Sequence, residues 1–309
     1  MDLDDFVALG LHRPLDYARL PRPFAEYDFN RYLDPPADRQ YQPCPEAFRP
    51  PGIPRGEVTH HTSWADSSVF PSTERDIWIY QSASSTGRAT GVALMIFLNG
   101  DAYMSATGAV RAPAVLDTLV ANRELPPVVA LFVEPGRQTT TEHPDKDQRS
   151  IEYDTVSGRF AEFLLQDLIS FAERHTGITV SQNPRERLVA GMSSGGIAAF
   201  TAAWFAPESF GLVLSHCGSF TNVRGGHNYP YLVRTTAPKP IRVFLTSGAM
   251  DLDHPVGSWP LANREMAAAL AYAGYEHRFE FGEGGHTLRH GGSLFAESLR
   301  WLWNAGANG

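Results

Sequence analysis

The sequence predicts a doubly wound α/β fold, a mostly parallel sheet with helices on both faces. Three observations carry that expectation. Short continuous apolar runs recur at Val92–Leu98, Val128–Val133, Leu188–Ala190, Leu212–Ser215 and Val243–Thr246. Such runs suit strands buried on both faces of a parallel sheet. Segments with helical periodicity alternate with them, as right-handed strand–helix–strand crossovers require. Finally, Leu188-Val189-Ala190-Gly191-Met192-Ser193-Ser194-Gly195 runs from an apolar strand straight into the small-residue helical stretch Gly195–Phe205.

The elements follow in chain order. Residues 1–56 hold ten prolines between Pro14 and Pro54, which interrupt any regular structure. They read as an extended arm with one short helix near Leu3–Leu9. Its aromatic residues Phe24, Tyr27, Phe29, Tyr32 and Tyr41 are expected to anchor it to the body or to a second subunit. The main α/β domain over 57–309 follows, opening with an antiparallel pair, Glu57–Trp64 and Asp76–Gln81, in which Ile77 and Ile79 alternate with Trp78 and Tyr80. Helices are expected near Ala109–Asn122, Gly158–His175, Leu261–Ala273 and Ser293–Trp303. The second is clearest: Phe160, Phe163, Leu164, Leu168 and Phe171 fall at three- and four-residue spacings, and Gly177 is the expected C-terminal cap. No repeat or low-complexity linker interrupts this domain.

Bulk composition narrows the function. A net charge of −8 without any Lys/Arg run argues against nucleic acid as a partner. No stretch reaches the roughly eighteen apolar residues that cross a bilayer. The acidic start Met-Asp-Leu-Asp-Asp has no apolar signal core, and Cys44 and Cys217 are read as free thiols. A cytoplasmic location is the expectation. His60-His61 and the pair His286 and His290 lack metal-site spacing, so no metal or other cofactor is expected.

Gly191-Met192-Ser193-Ser194-Gly195 is a G-x-S-x-G element in strand–turn–helix context. The sharp turn lifts the central hydroxyl above the sheet, which makes Ser193 the candidate nucleophile. A serine hydroxyl needs a base, and in this arrangement the acid and then the histidine follow it along the chain. His286 is preferred because Gly282-Glu283-Gly284-Gly285-His286 leaves the strand-like His277–Phe281 at the sheet's carboxyl edge, with His290 as the alternative. Asp251 and Asp253 both follow the strand ending at Gly248, and Asp251 is preferred as the acid. Glu283, or a dyad without an acid, also remains open. The oxyanion donors are expected to be the N–H of Ser194 and that of Asp101 after Asn99-Gly100, with Ala102 as the alternative.

With these residues the chain resembles the putative-esterase family of α/β-hydrolases, which includes enterochelin esterase, esterase D and feruloyl esterases. The resemblance spans about residues 57–303. It rests on Leu98-Asn99-Gly100-Asp101, Arg149-Ser150-Ile151-Glu152-Tyr153, the 191–195 elbow, Asp251 and Gly284-Gly285-His286. Trp259-Pro260-Leu261-Ala262-Asn263 and Leu299-Arg300-Trp301-Leu302-Trp303 look most like the enterochelin-esterase branch. Two departures stand out: Asn99 replaces the family's frequent Asp or His, and the short arm is no counterpart of the separate N-terminal domain of enterochelin esterases. The resemblance implies an α/β-hydrolase fold and a serine esterase acting on a small-molecule ester through an acyl-enzyme. Arg149 and Glu152 are expected to line the pocket, with Arg149 meeting an anionic or catecholate group, or else to pair as ions at a helix start. Trp259 is the third expected substrate contact. An acyltransferase on the same scaffold, as in related mycolyltransferases, and a silent binding protein are the alternatives. Homo-oligomerisation through the arm completes the expectations.

Overall fold

The computed structural model describes residues 16–21, 23, 26–139 and 148–304. The expected helix at Leu3–Leu9 and the Phe24 anchor lie outside these residues. Eight strands form the path of the main sheet: β1 (Glu57–Trp64), β2 (Thr73–Gln81), β3 (Ala93–Leu98), β4 (Val128–Val133), β5 (Arg187–Met192), β6 (Leu212–His216), β7 (Arg242–Gly248) and β8 (His277–Gly282). Their spatial order is β1-β2-β4-β3-β5-β6-β7-β8. The pairs β1–β2 and β2–β4 are antiparallel and every later pair is parallel. The order reverses around β3 and β4 and then runs outward from β3 through β5, so the carboxyl ends of β3, β5, β6, β7 and β8 share one edge. That edge is where doubly wound sheets gather functional groups.

The parallel strands are buried on both faces because successive side chains point to opposite sides. Leu94, Ile96, Leu98, Val189, Val213, Val243 and Leu245 share one core with Phe160, Phe163 and Leu164 of the long helix. The α-helix Ser194–Phe205 and the helix Trp259–Tyr272 pack into the same layer. Met95, Phe97, Phe132, Ala190, Leu214 and Phe244 face the other core, against Val115, Leu116 and Leu119 of Ala112–Ala121 and Phe295, Leu299 and Leu302 of Phe295–Trp303.

The structure adds detail to several elements. The helix over 159–176 is capped by Gly177 at φ 68°, but its middle, Phe163–Ile169, is π-helical rather than α-helical. Asp167 in that stretch accepts hydrogen bonds from Ser67, Ser68 and Val69. The expected helix at 109–122 begins only at Ala112, where Pro113 fits the first turn because its missing N–H has no intrahelical partner there. The expected helix over 293–303 runs over Phe295–Trp303, and a separate short helix, Arg289–Ser293, precedes it. Short helices at Gly100–Met104, Gln148–Tyr153 and Tyr229–Thr235 had no clear periodic signal. Cys44 and Cys217 are both buried free thiols. No helix among the described residues is long and apolar enough to cross a membrane.

The arm's described part runs through short helical turns at Asn30–Leu33, Pro36–Gln40 and Pro45–Phe48. Its aromatic residues contact this chain's own body: Phe29 lies 4.8 Å from the His254 ring and Tyr41 4.6 Å from the His290 ring.

Candidate active site

The turn from β5 into Ser194–Phe205 is as tight as its glycines suggest. A Cβ at Gly191 would lie 2.4 Å from the Gly195 backbone, so no side chain is tolerated there. Ser193 has φ 57° and ψ −120°, a conformation that costs a non-glycine residue about 1–3 kcal/mol. The surroundings hold it: the Ser193 N–H donates to the His216 carbonyl at 2.9 Å, and the Ser193 carbonyl accepts from Ser219 N–H at 3.1 Å. The hydroxyl consequently stands at the carboxyl edge of the sheet, at the N-terminus of the helix.

His286 reaches it from the loop after β8, with Nε2 2.8 Å from Ser193 Oγ. Its Nδ1 lies 2.6 Å from Asp251 Oδ1. Asp251 is buried, and its own oxygens accept from Leu252 N–H at 2.7 Å and Ser247 Oγ at 3.0 Å. Those two donors fix the carboxyl plane, so Oδ1 points at the imidazole. The alternatives fall elsewhere. Asp253 is exposed in a two-residue ribbon with Ser258, and His290 packs beneath the loop against Tyr41. Glu283 is exposed.

Two expected positions differ in detail. The Asp101 N–H is already taken: it donates to Glu134 Oε1 at 2.9 Å. Ala102 N–H is committed to the Asn99 carbonyl at 3.2 Å. Ser194 N–H opens the helix, where backbone donors have no intrahelical acceptor. Glu134 follows β4 directly, and neither motif nor spacing drew attention to it.

Arg149 is brought beside the elbow, donating from Nη1 to Ser194 Oγ at 2.9 Å. Glu152 is not brought there. It is fully buried in a bidentate pair with Arg75 at 2.7 and 2.9 Å, and it also accepts from Gln148 Nε2 and Gly136 N–H. The helical turn points Arg149 and Glu152, three residues apart, at different neighbours, so Glu152 ties Gln148–Tyr153 to β2. Trp259 reaches the site but is only 4% exposed; its ring meets His286 edge-on at 5.8 Å and its Nε1 donates to Ser219 Oγ at 3.2 Å. Ser219, whose Oγ is 3.3 Å from that of Ser193, is a neighbour that no motif or spacing along the chain marks. Among the described residues, the His/Cys/carboxylate group whose ligand atoms lie within 4.8 Å of one another is Cys217, Asp251 and His286. Both nitrogens of His286 are committed to Asp251 and Ser193, so a metal there would have to displace that pairing.

Burial pushes the Glu134 carboxyl up to about 7; the hydrogen bond from Asp101 N–H and the Arg149 charge pull it down, and the Asp101 carboxylate adds to the rise. The folded chain therefore keeps this proton to higher pH than the unfolded chain, which releases it near the ordinary value of 4.5. Stability is lost as pH rises through that window, and the cost is complete above it. Glu134→Gln removes the cost while an amide oxygen still accepts from Asp101. The variant is expected to raise Tm more at pH 8 than at pH 4.5; an equal shift at both pH values would contradict the assignment.

In comparisons with known proteins, a family model described as "Putative esterase" matches residues 74–302. The iron(III) enterobactin esterase of Dickeya dadantii (strain 3937) is 27% identical over 255 residues, which is 74% of this chain and 52% of that protein. The chain thus spans about half the length of that relative. Among solved structures, the enterobactin esterase of Shigella flexneri superposes with a TM-score of 0.64 at 23% identity, covering 85% of this chain and 62% of that one. The ferric enterobactin esterase of Salmonella typhimurium gives 0.65 at 24%, covering 84% and 61%. A ferulic acid esterase from the anaerobic fungus Anaeromyces mucronatus gives 0.60 at 15%, covering 84% and 95%. At these identities the structural likeness shows the fold, that of the α/β-hydrolases.

Proposed function

The chain belongs to this esterase family, and on that premise we propose that it is a serine carboxylester hydrolase working through an acyl-enzyme. One observation carries the reading: His286 bridges Ser193 Oγ and Asp251 Oδ1 at 2.8 and 2.6 Å. In the proposed reaction His286 Nε2 takes the Ser193 proton as Oγ attacks the ester carbonyl. The resulting imidazolium then returns the proton to the leaving alcohol. Asp251 holds the tautomer with the proton on Nδ1 and stabilises the imidazolium. Water attacks the acyl-enzyme by the same steps in reverse order. The oxyanion is held by Ser194 N–H together with Asp101 N–H, which exchanges Glu134 for the substrate oxygen.

An ester carrying an aromatic ring suits the surroundings best. Trp259, His254, Phe29 and Tyr27 form a ladder of rings leading outward from His286, with successive centroids 4.8 to 6.5 Å apart. The relatives named for enterobactin and ferulic acid point the same way, and the Arg149 guanidinium beside Ser194 offers an anionic group a partner. The test is a fluorophosphonate label followed by a hydrolysis panel of p-nitrophenyl acetate and butyrate, feruloyl esters and ferric-siderophore lactones. Labelling confined to Ser193 and a higher kcat/KM for the aromatic esters are expected. An unlabelled, inactive protein would mean a silent binding protein, and transfer to added alcohols in preference to water would mean an acyltransferase.

A further inference from the structure

The loop that carries His286 is poorly suited, by itself, to hold a catalytic base. Gly284 and Gly285, following Gly282 at the end of β8, raise the backbone entropy that this loop must lose to hold one conformation. From within the domain its carbonyls accept from Ala249 N–H at Gly282, from Met250 N–H at Gly284, and from the Cys217 thiol at Gly285 and Thr287, the last two at 3.8 Å. Its own backbone donors point the other way, into the N-terminal arm. Glu283 N–H donates to Tyr41 Oη at 2.9 Å, Gly285 N–H to Asp38 Oδ1 at 2.9 Å, and His286 N–H to the Tyr32 carbonyl at 2.6 Å. Thr287 Oγ1 donates to Asp38 Oδ2 at 2.6 Å. The Asp38 carboxyl, fully buried although it comes from a proline-rich surface segment, therefore grips the residues on both sides of His286.

The glycines record how close this approach is. A Cβ at Gly284 would fall 2.6 Å from Asp38 Oδ1, and one at Gly285 would fall 2.3 Å from the Tyr32 carbonyl. The loop lacks side chains where the arm's backbone and carboxyl lie against it. We infer that the arm is a working part of the site, and that Asp38 is a positioning residue that fixes the His286 loop so that Nε2 meets Ser193 Oγ. The inference rests on the proposed roles of Ser193 and His286. It extends them to a residue 247 positions away from Gly285. The physical requirement is strict, because a misplacement of about 1 Å in a catalytic group costs roughly a hundredfold in rate.

The test compares three full-length variants. Asp38→Ala removes both acceptors and is expected to lower kcat about 10- to 100-fold with KM within about twofold. Asp38→Asn restores the grip, since its amide oxygen accepts from Gly285 N–H and its amide N–H donates to Thr287 Oγ1. It is expected to return kcat to within about threefold of wild type. Tyr41→Phe removes one acceptor at a half-buried position and is expected to cost about three- to tenfold. The second readout is the downfield proton resonance of the His286 Nδ1–H···Asp251 bond, which should broaden or vanish in Asp38→Ala and persist in Asp38→Asn. A folded Asp38→Ala protein with wild-type kcat and an unchanged resonance overturns the inference. If Asp38→Ala does not fold, wild-type kcat and resonance in Tyr41→Phe overturn it instead. Should the wild-type protein neither label nor hydrolyse any ester, the esterase reading fails, and the resonance alone still reports whether the arm holds His286.

Discussion

Ser193→Ala is expected to fold normally and to lose about 10³- to 10⁶-fold in kcat, leaving only the catalysis that binding and the oxyanion donors supply. Folding should survive because alanine fits the same backbone at φ 57° and loses only the hydroxyl contacts to His286 and Ser219. His286→Ala should cost about as much, since a hydroxyl without a base is as inert as no hydroxyl. The double variant should then be no worse than either single one. Steady-state rates on the best ester of the panel, with circular dichroism as the folding control, measure this. Retention of more than a few per cent of activity in Ser193→Ala would remove it as the nucleophile, and additive losses in the double variant would mean that the two residues do not act as a unit.

Asp251→Asn should lower kcat by about a hundredfold, less than the roughly 10⁴-fold that an acid-to-amide change costs such a triad when it selects the wrong tautomer. The reason lies in the donors around it. Leu252 N–H points at Oδ1, so an asparagine must keep its oxygen there and turn its amide toward Ser247 Oγ, which accepts it. The oxygen still faces His286 Nδ1, the useful tautomer survives, and what is lost is the negative charge that stabilises the imidazolium. Asp253→Asn should change kcat less than about threefold, because that side chain is exposed and the residue touches the arm through its carbonyl, 3.4 Å from Tyr32 Oη. Measuring both kcat values decides the matter: the reverse ranking would make Asp253 the acid, and two near-neutral variants would leave a Ser193–His286 dyad.

Features that depend on neighbours along the chain are legible in the amino-acid order. Strands buried on both faces show as unbroken apolar runs, and β4 begins and ends where its run does, at Val128 and Val133. The elbow is legible because a G-x-S-x-G between an apolar strand and a small-residue helix has few ways to turn, and the cap at Gly177 follows from the same local logic. Which groups meet across long separations is set by the packing of the whole fold. Asp251 and Asp253 share one loop, and the choice of neighbour for His286 depends on how that loop folds back over β8. Glu152 faces Arg75, 77 positions away, because β2 and the 148–153 helix are packed together, and no spacing records that. The Asp101 N–H, expected as an oxyanion donor, is bonded to Glu134 from the adjacent strand end. Asp38 reached Gly285 across 247 positions through an arm whose prolines hide any periodic signal. Hydrophobic periodicity fixes which face a residue presents, whereas hydrogen-bond partners are fixed by sheet order and loop closure, and these emerge only when the whole chain has packed.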